Sequence, residues 1–141
     1  MILYLDTSSL VKLYVAEVHS GRVRGWTEEA EIVATCRVAY PEMISALTRR
    51  AREGDFDKRD YDLLVKTFSK EWQRFAVVDF DEFDAGRLAA VYGLRGFDAV
   101  HLSAAKLLSL AGSSPSVAFS SFDEKLNSAA AAENLIVLQP K

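Results

Sequence analysis

Ile2-Leu-Tyr-Leu-Asp-Thr-Ser-Ser9 is the stretch that decides the fold. Ile2–Leu5 is apolar without polar alternation, the pattern of a short strand covered on both faces, and such strands belong to parallel sheets. The run stops at an acid, and Asp6, Thr7 and Ser8 are residue types that cap helices, so a helix is expected where the strand ends. The same order recurs down the chain. Ile32–Ala34, Ala76–Val78, Val117–Phe119 and Leu135–Leu138 are further short runs rich in β-branched or aromatic residues. Helical stripes separate them. Tyr61, Leu64, Val65, Phe68, Trp72 and Phe75 recur at spacings of three and four within Lys58–Phe75. Phe97–Leu110 and Tyr40–Arg52 show the same spacing, with Pro41 acceptable only in a first turn. Gly54–Asp55 ends the Tyr40 helix, and Gly112-Ser-Ser-Pro115 ends the Phe97 helix. Ser8–Glu17, Asp81–Tyr92 and Asp123–Ala132 are expected to be helical, and a polar helix follows His19. Strands alternating with helices predict right-handed crossovers and an α/β three-layer sandwich around a mostly parallel five-stranded sheet.

Composition narrows the function classes. With 141 residues, 50% of them hydrophobic and 26% charged, the chain has the size and make-up of one domain spanning 1–141. Cys36 is the lone cysteine and there are two histidines, too few for a zinc site built from those residues. A reducing, cytoplasmic setting follows from that cysteine usage. MILYLD has no basic start and meets an acid at Asp6, so it does not read as a signal peptide, and no apolar run suits a membrane span. A net charge of −3 excludes a simple basic nucleic-acid coat, but not a nuclease with a local acidic pocket.

Ligands of open parallel sheets bind at the carboxyl ends of the strands, and four acids are placed for that region. Asp6 follows the first strand and Asp123 follows the fourth. Glu42 opens the Tyr40 helix and Asp98 opens the Phe97 helix. Singly, each has a plain structural role. Asp6 and Asp123 suit N-caps, Asp98 suits a helix dipole and Glu42 suits a surface. Glu42 and Asp98 nevertheless stand in strongly apolar contexts, where an unpaired carboxylate is costly. Four converging carboxylates repel unless a cation compensates them, and hard oxygen ligands without Cys or His suit Mg2+ or Mn2+.

These residues carry a resemblance. Tyr92-Gly-Leu-Arg-Gly-Phe-Asp-Ala-Val-His-Leu-Ser-Ala-Ala105 closely resembles the third acidic motif of the PIN-domain ribonucleases. Leu5–Tyr14, Glu-x-x-Ser-Ala-Leu from Glu42 to Leu47, and the Ser-Phe-Asp ending in Asp123 match as well. The chain looks like a VapC-type toxin of a toxin–antitoxin pair, over nearly its whole length. Pro41 directly before Glu42 is a departure from the family pattern. The resemblance implies a sheet ordered 3-2-1-4-5 and an acidic catalytic quartet of Asp6, Glu42, Asp98 and Asp123. Asp6, Asp98 and Asp123 are the implied metal ligands, Glu42 orders metal-bound water or a second ion, and Ser121 supports the site. Implied partners are an RNA substrate, a small antitoxin with a basic side chain aimed at the quartet, and a second copy in a homodimer.

Several residues carry double readings. Thr7 and Ser8 serve as caps or hydrogen-bond a phosphate or metal water. Arg49, Arg50 and Arg52 are a solvated helix end or a salt-sensitive grip on the RNA backbone. His101 shares a helix face with Asp98, and its ring is expected to bond a backbone group or a carboxylate. Cys36 is expected to be buried and His19 solvated. Leu10, Leu13, Tyr14 and the Val38–Leu47 segment form either an antitoxin groove or ordinary core. Two other functions fit the same residues: an idle module binding RNA or protein, and a phosphotransferase with Asp6 as nucleophile.

Overall fold

The structure is a computed structural model that describes residues 1–112 and 116–140. Its strands are β1 Ile2–Leu5, β2 Ile32–Cys36, β3 Ala76–Val78, β4 Val117–Ser120 and β5 Ile136–Leu138. All four strand pairings are parallel, in the order β3-β2-β1-β4-β5. Tyr4 faces Phe119 and Leu5 faces Ser120 across the β1–β4 pair. The chain therefore travels one way from β1 to β3, returns, and continues the other way through β4 and β5. The carboxyl ends of β1 and β4 flank the point of reversal, where a crevice opens in sheets of this kind.

Helices cover both faces. On one lie α1 Thr7–Leu10, α2 Ser20–Glu29, α3 Ala39–Arg52 and α4 Lys58–Glu71. Leu3 and Leu5 point there and pack with Leu10, Val23, Met43, Leu47 and Phe68. Phe68 gathers Tyr14, Tyr40 and Trp72, with ring centroids 5.2, 5.3 and 5.5 Å away. The other face carries α5 Glu82–Tyr92, α6 Gly96–Ala111 and α7 Glu124–Ala132. Tyr4, between the two leucines, points to that side and packs with Leu88, Leu102, Phe119 and Leu126. Alternation along β1 thus feeds two separate cores, which is what a strand covered on both faces requires.

Local chemistry explains the element ends. Pro41 is the third residue of α3, inside the first turn, where a missing N–H breaks no helical bond. Gly54, at φ +87°, turns the chain out of α3 in a conformation that strains other residues. The helix expected over Ser8–Glu17 is much shorter: α1 ends at Leu10 and passes into a 3-10 turn over Val11–Leu13. Lys12 then bonds Glu17 at 3.0 Å and the Val18 carbonyl at 2.9 Å, folding the chain back toward α2. The helix expected to reach Phe75 stops at Glu71 and finishes as a 3-10 turn over Trp72–Arg74. β2 runs two residues further than its apolar run, through Thr35, whose hydroxyl donates to the Leu5 carbonyl at 2.7 Å. Helix α6 ends at Ala111; of the stop signal Gly112–Pro115, residues 113–115 lie outside the described residues. Among the described residues, no helix is long and apolar enough to cross a membrane.

Candidate active site

Four elements deliver the four acids to one place. Asp6 leaves β1 and caps α1, its Oδ1 accepting from the Ser9 N–H at 3.0 Å and the Ser8 hydroxyl at 2.7 Å. Asp123 follows β4 and caps α7, its Oδ1 accepting from the Leu126 N–H at 2.9 Å. Ser121 Oγ accepts the Asp123 N–H at 3.0 Å, and Ser8 Oγ accepts the Phe122 N–H at 2.9 Å. These bonds lace the β1 and β4 exits together. Glu42 and Asp98 arrive from the first turns of α3 and α6. A cleft of about 310 Å3 is lined by all four acids with Thr7, Ser8, Arg95 and His101. The capping readings of Asp6 and Asp123 are therefore correct and incomplete, because each cap uses one carboxylate oxygen and keeps the other.

Two of the acids are strongly conditioned by their surroundings. Asp6 is 3% exposed, and burial pushes its carboxyl above the ordinary range despite attraction to His101 and bonds from Ser121, Ser8 and Ser9. Burial alone would also raise Glu42, but hydrogen bonds from His101 and Thr7 outweigh it and hold its carboxyl low. Thr7 Oγ1 donates to Glu42 Oε1 at 2.7 Å, and His101 Nε2 lies 2.7 Å from the same oxygen. An ionised Glu42 makes Nε2 the donor. Nδ1 lies 2.7 Å from the buried Tyr4 hydroxyl, which can either donate to it or accept from it. His101 is thus bonded to a carboxylate, as expected, and both of its nitrogens are occupied. Both bonds to Glu42 end on Oε1, leaving Oε2 outside them.

The donor chemistry suits a hard divalent cation. Every unassigned ligand atom in the cleft is an oxygen, chiefly from carboxylates, and one of those carboxylates is almost fully buried. As the side chains stand, however, no three acidic, histidine or cysteine side chains among the described residues are grouped to hold an ion. A protein cation is already there. Arg95 Nε lies 3.1 Å from Asp98 Oδ2, and its second terminal nitrogen lies 3.7 Å from Asp123 Oδ2. The acids fit a metal by type and convergence, with side chains set around a guanidinium.

The basic cluster separates on inspection. Arg49 lines a groove of about 670 Å3 that shares Thr7, Ser8 and Glu42 with the acid cleft, and it forms no ion pair among the described residues. Arg50 lines the same groove but is held by Glu17 at 2.6 Å and Asp55 at 2.9 Å. Arg52 lies apart, beside Thr48 and Glu53. The apolar stretches, open between groove and core, separate as well. Leu10, Met43 and Leu47 are fully buried core, and Leu13 and Tyr14 line a different depression near Ile32 and Ala76, at the strands' amino ends. Of that set, Val38, Pro41, Glu42, Ser45 and Ala46 border the acid cleft's groove. Cys36 is buried and His19 is exposed, as expected; His19 stacks on Phe122 with centroids 5.6 Å apart.

Comparison with known proteins agrees with this geometry. The PIN domain family model matches residues 3–132. The chain belongs to the PIN-domain family. It is 31% identical over 132 residues to Ribonuclease VapC45 of Mycobacterium tuberculosis, covering 92% of this chain and 89% of the relative. In fold, this PIN domain is similar to PAE2754 of Pyrobaculum aerophilum, with a TM-score of 0.71 and 20% identity over 97% of this chain and 89% of that one. It is also similar to a chain of Rickettsia felis VapBC2 bound to a promoter DNA fragment, with a TM-score of 0.66 and 13% identity over the full length of both.

Sequence reasoning missed two contributors. Tyr4 was hidden inside an apolar run, and no local signal marks its hydroxyl. Arg95 did leave a signal. It is the N-cap residue of α6 and makes no capping bond, and a cation at a helix N-terminus opposes the dipole unless acids surround it.

Proposed function

We propose that this PIN domain is an endoribonuclease that depends on Mg2+ or Mn2+ and acts as the toxin of a toxin–antitoxin pair. The observation that carries the reading is the convergence of Asp6, Glu42, Asp98 and Asp123 from four elements on one cleft at the β1–β4 crevice, in a chain of this family. The name of the M. tuberculosis relative supports ribonuclease activity, and the VapBC2 pair supports a small protein partner. Family membership favours hydrolysis over the phosphotransferase alternative.

In this reading Asp6, Asp98 and Asp123 hold the cation. When bound, it lowers the pKa of a coordinated water and neutralises charge on the phosphate. The chain's own residues do the rest. Burial keeps Asp6 rigid, and its cap bonds fix the direction of its free oxygen. His101 and Thr7 keep Glu42 ionised and aimed, so that Oε2 can accept a hydrogen bond from the attacking water. Ser8 and Ser121 hold the two strand exits at a fixed spacing. Arg49, without an ion pair among the described residues and facing the continuous groove, is the best placed of the three arginines to hold the RNA backbone. Exposed apolar residues on α5 and α6, among them Phe83, Val91 and Leu110, offer surface for the homodimer.

The test is cleavage of RNA by the purified chain. Activity should stop in EDTA and return with Mg2+ or Mn2+, and co-expression with a small neighbouring gene product should give a stable, inactive complex. Undiminished cleavage in excess chelator overturns the metal assignment. Failure of every neighbouring product to bind overturns the toxin assignment.

A further inference from the structure

The cation already present in the acid cleft belongs to the chain itself. Arg95 sits between buried Leu94 and Gly96, in the short connection that follows the turn at Gly93, where φ is +64°. Its backbone is therefore fixed relative to α6 and the site. Its side chain is not. It is 82% exposed, whereas the Asp98 and Asp123 side chains it reaches are 17% and 34% exposed. It is also the only basic side chain among the described residues that pairs with two of the four acids. The helix dipole disfavours a cation at this position, so the acids are what hold the guanidinium there. Pairing of so exposed a side chain is weak and salt-screened, which makes it easy to displace.

We propose that Arg95 is a built-in counter-cation that occupies the mouth of the acid cleft in the metal-free chain and exchanges with the divalent ion. This rests on the metal reading of the cleft. Paired with Asp98 and Asp123, the guanidinium relieves carboxylate repulsion without the full dehydration that Mg2+ would demand. When the ion enters, Asp98 and Asp123 turn to it, and Arg95, still anchored by its backbone, swings out to the rim. The exchange is a competition, so the sign of its effect is fixed. Removing Arg95 must tighten metal binding, whereas a purely structural arginine would weaken binding when lost.

The experiment is a calorimetric titration of the RNA-free chain with Mn2+ alone at low ionic strength. Arg95→Gln should bind about fivefold more tightly than the unmodified chain, the size of one unit charge acting over ~4 Å in water-like surroundings. Arg95→Lys should retain most of the competition, and Arg22→Gln, on the exposed side of α2, should change nothing. The gap between Arg95→Gln and the unmodified chain should narrow as salt is added. Equal or weaker Mn2+ binding by Arg95→Gln overturns the proposal while leaving the metal reading intact. Absence of Mn2+ binding in every variant overturns both.

Discussion

Two clusters of acids in the molecule are balanced in opposite ways. Beyond the sheet, where α5, α6 and α7 meet, Glu133 accepts from Tyr92, from Arg87 at 2.8 Å and from Lys106 at 2.9 Å. Asp84 takes the remaining reach of the same two bases. Two acids there meet two bases, and the carboxyl of Glu133 is held down at about 2 by its Tyr92, Lys106 and Arg87 bonds. At the β1–β4 crevice, four acids meet one exposed arginine and a histidine bonded to Glu42. Charge that the fold balances internally clamps helices together. Charge that it leaves unbalanced, on rigid backbone beside a cleft, waits for something from outside.

The largest test of that contrast removes one acid from each cluster. Asp98→Asn should lower RNA cleavage by at least about a hundredfold with the fold intact, since one of the proposed metal ligands loses its charge while shape is kept. Glu133→Gln should leave cleavage unchanged. Near-normal cleavage by purified Asp98→Asn would remove the distinction between the clusters. A smaller effect concerns the support of Glu42. His101→Ala takes away a donor to Oε1 and strands the buried Tyr4 hydroxyl, and loss of such a supporting bond costs about 10–100-fold in activity. His101→Gln, which keeps an N–H donor, should recover part of kcat, and circular dichroism should show the same helix content for both.

Glu133 offers a stability test. Its carboxyl is lowered in the folded chain from an ordinary 4.5 to about 2, so its contribution is complete above about pH 4.5 and fades as pH falls toward 2. Arg87 is 47% exposed, so the network is worth about 1 kcal/mol rather than more. Glu133→Gln should melt about 3 °C lower at neutral pH, with the gap closing on acidification. An unchanged melting temperature would reduce this cluster to solvated surface.

How far the sequence foretold these clusters depends on the reach of the signals involved. β1, the helix stripes and the four acids were legible because strands, stripes and caps are local patterns. The resemblance then supplied the strand order, which no local pattern carries. The length of α1 was not legible. Ser8–Glu17 has adequate helix composition, yet Lys12 and Glu17 bond each other and turn the chain, a contact between residues that the pattern treats as independent. Nor could composition distinguish Arg49 from Arg50, since the difference lies in Glu17 arriving from another segment. Nor could composition choose between groove and core for the apolar stretches. Leu10 and Leu47 are apolar in either role, and only packing shows that they are core.

The finest test lies within the acid cleft and separates the two roles of Asp6. As a cap it stabilises α1, and Asn is as good an N-cap as Asp, so Asp6→Asn should keep the bond from the Ser9 N–H. As a buried charge it opposes folding. Burial raises its carboxyl in the folded chain above the unfolded value, so ionising it at neutral pH disfavours the native state. That penalty is present above the raised folded value and disappears as pH falls below the unfolded value of about 3.9. In EDTA at neutral pH, Asp6→Asn should therefore melt a few degrees higher than the unmodified chain, at about 3 °C for each kcal/mol relieved. The gain should vanish near pH 4. Added Mn2+ should reverse the order, because only the unmodified chain has the full ligand set to be stabilised by binding. A lower melting temperature for Asp6→Asn in EDTA would mean that the carboxylate serves the fold as Glu133 does, and the contrast between the two clusters would fail at its most buried residue.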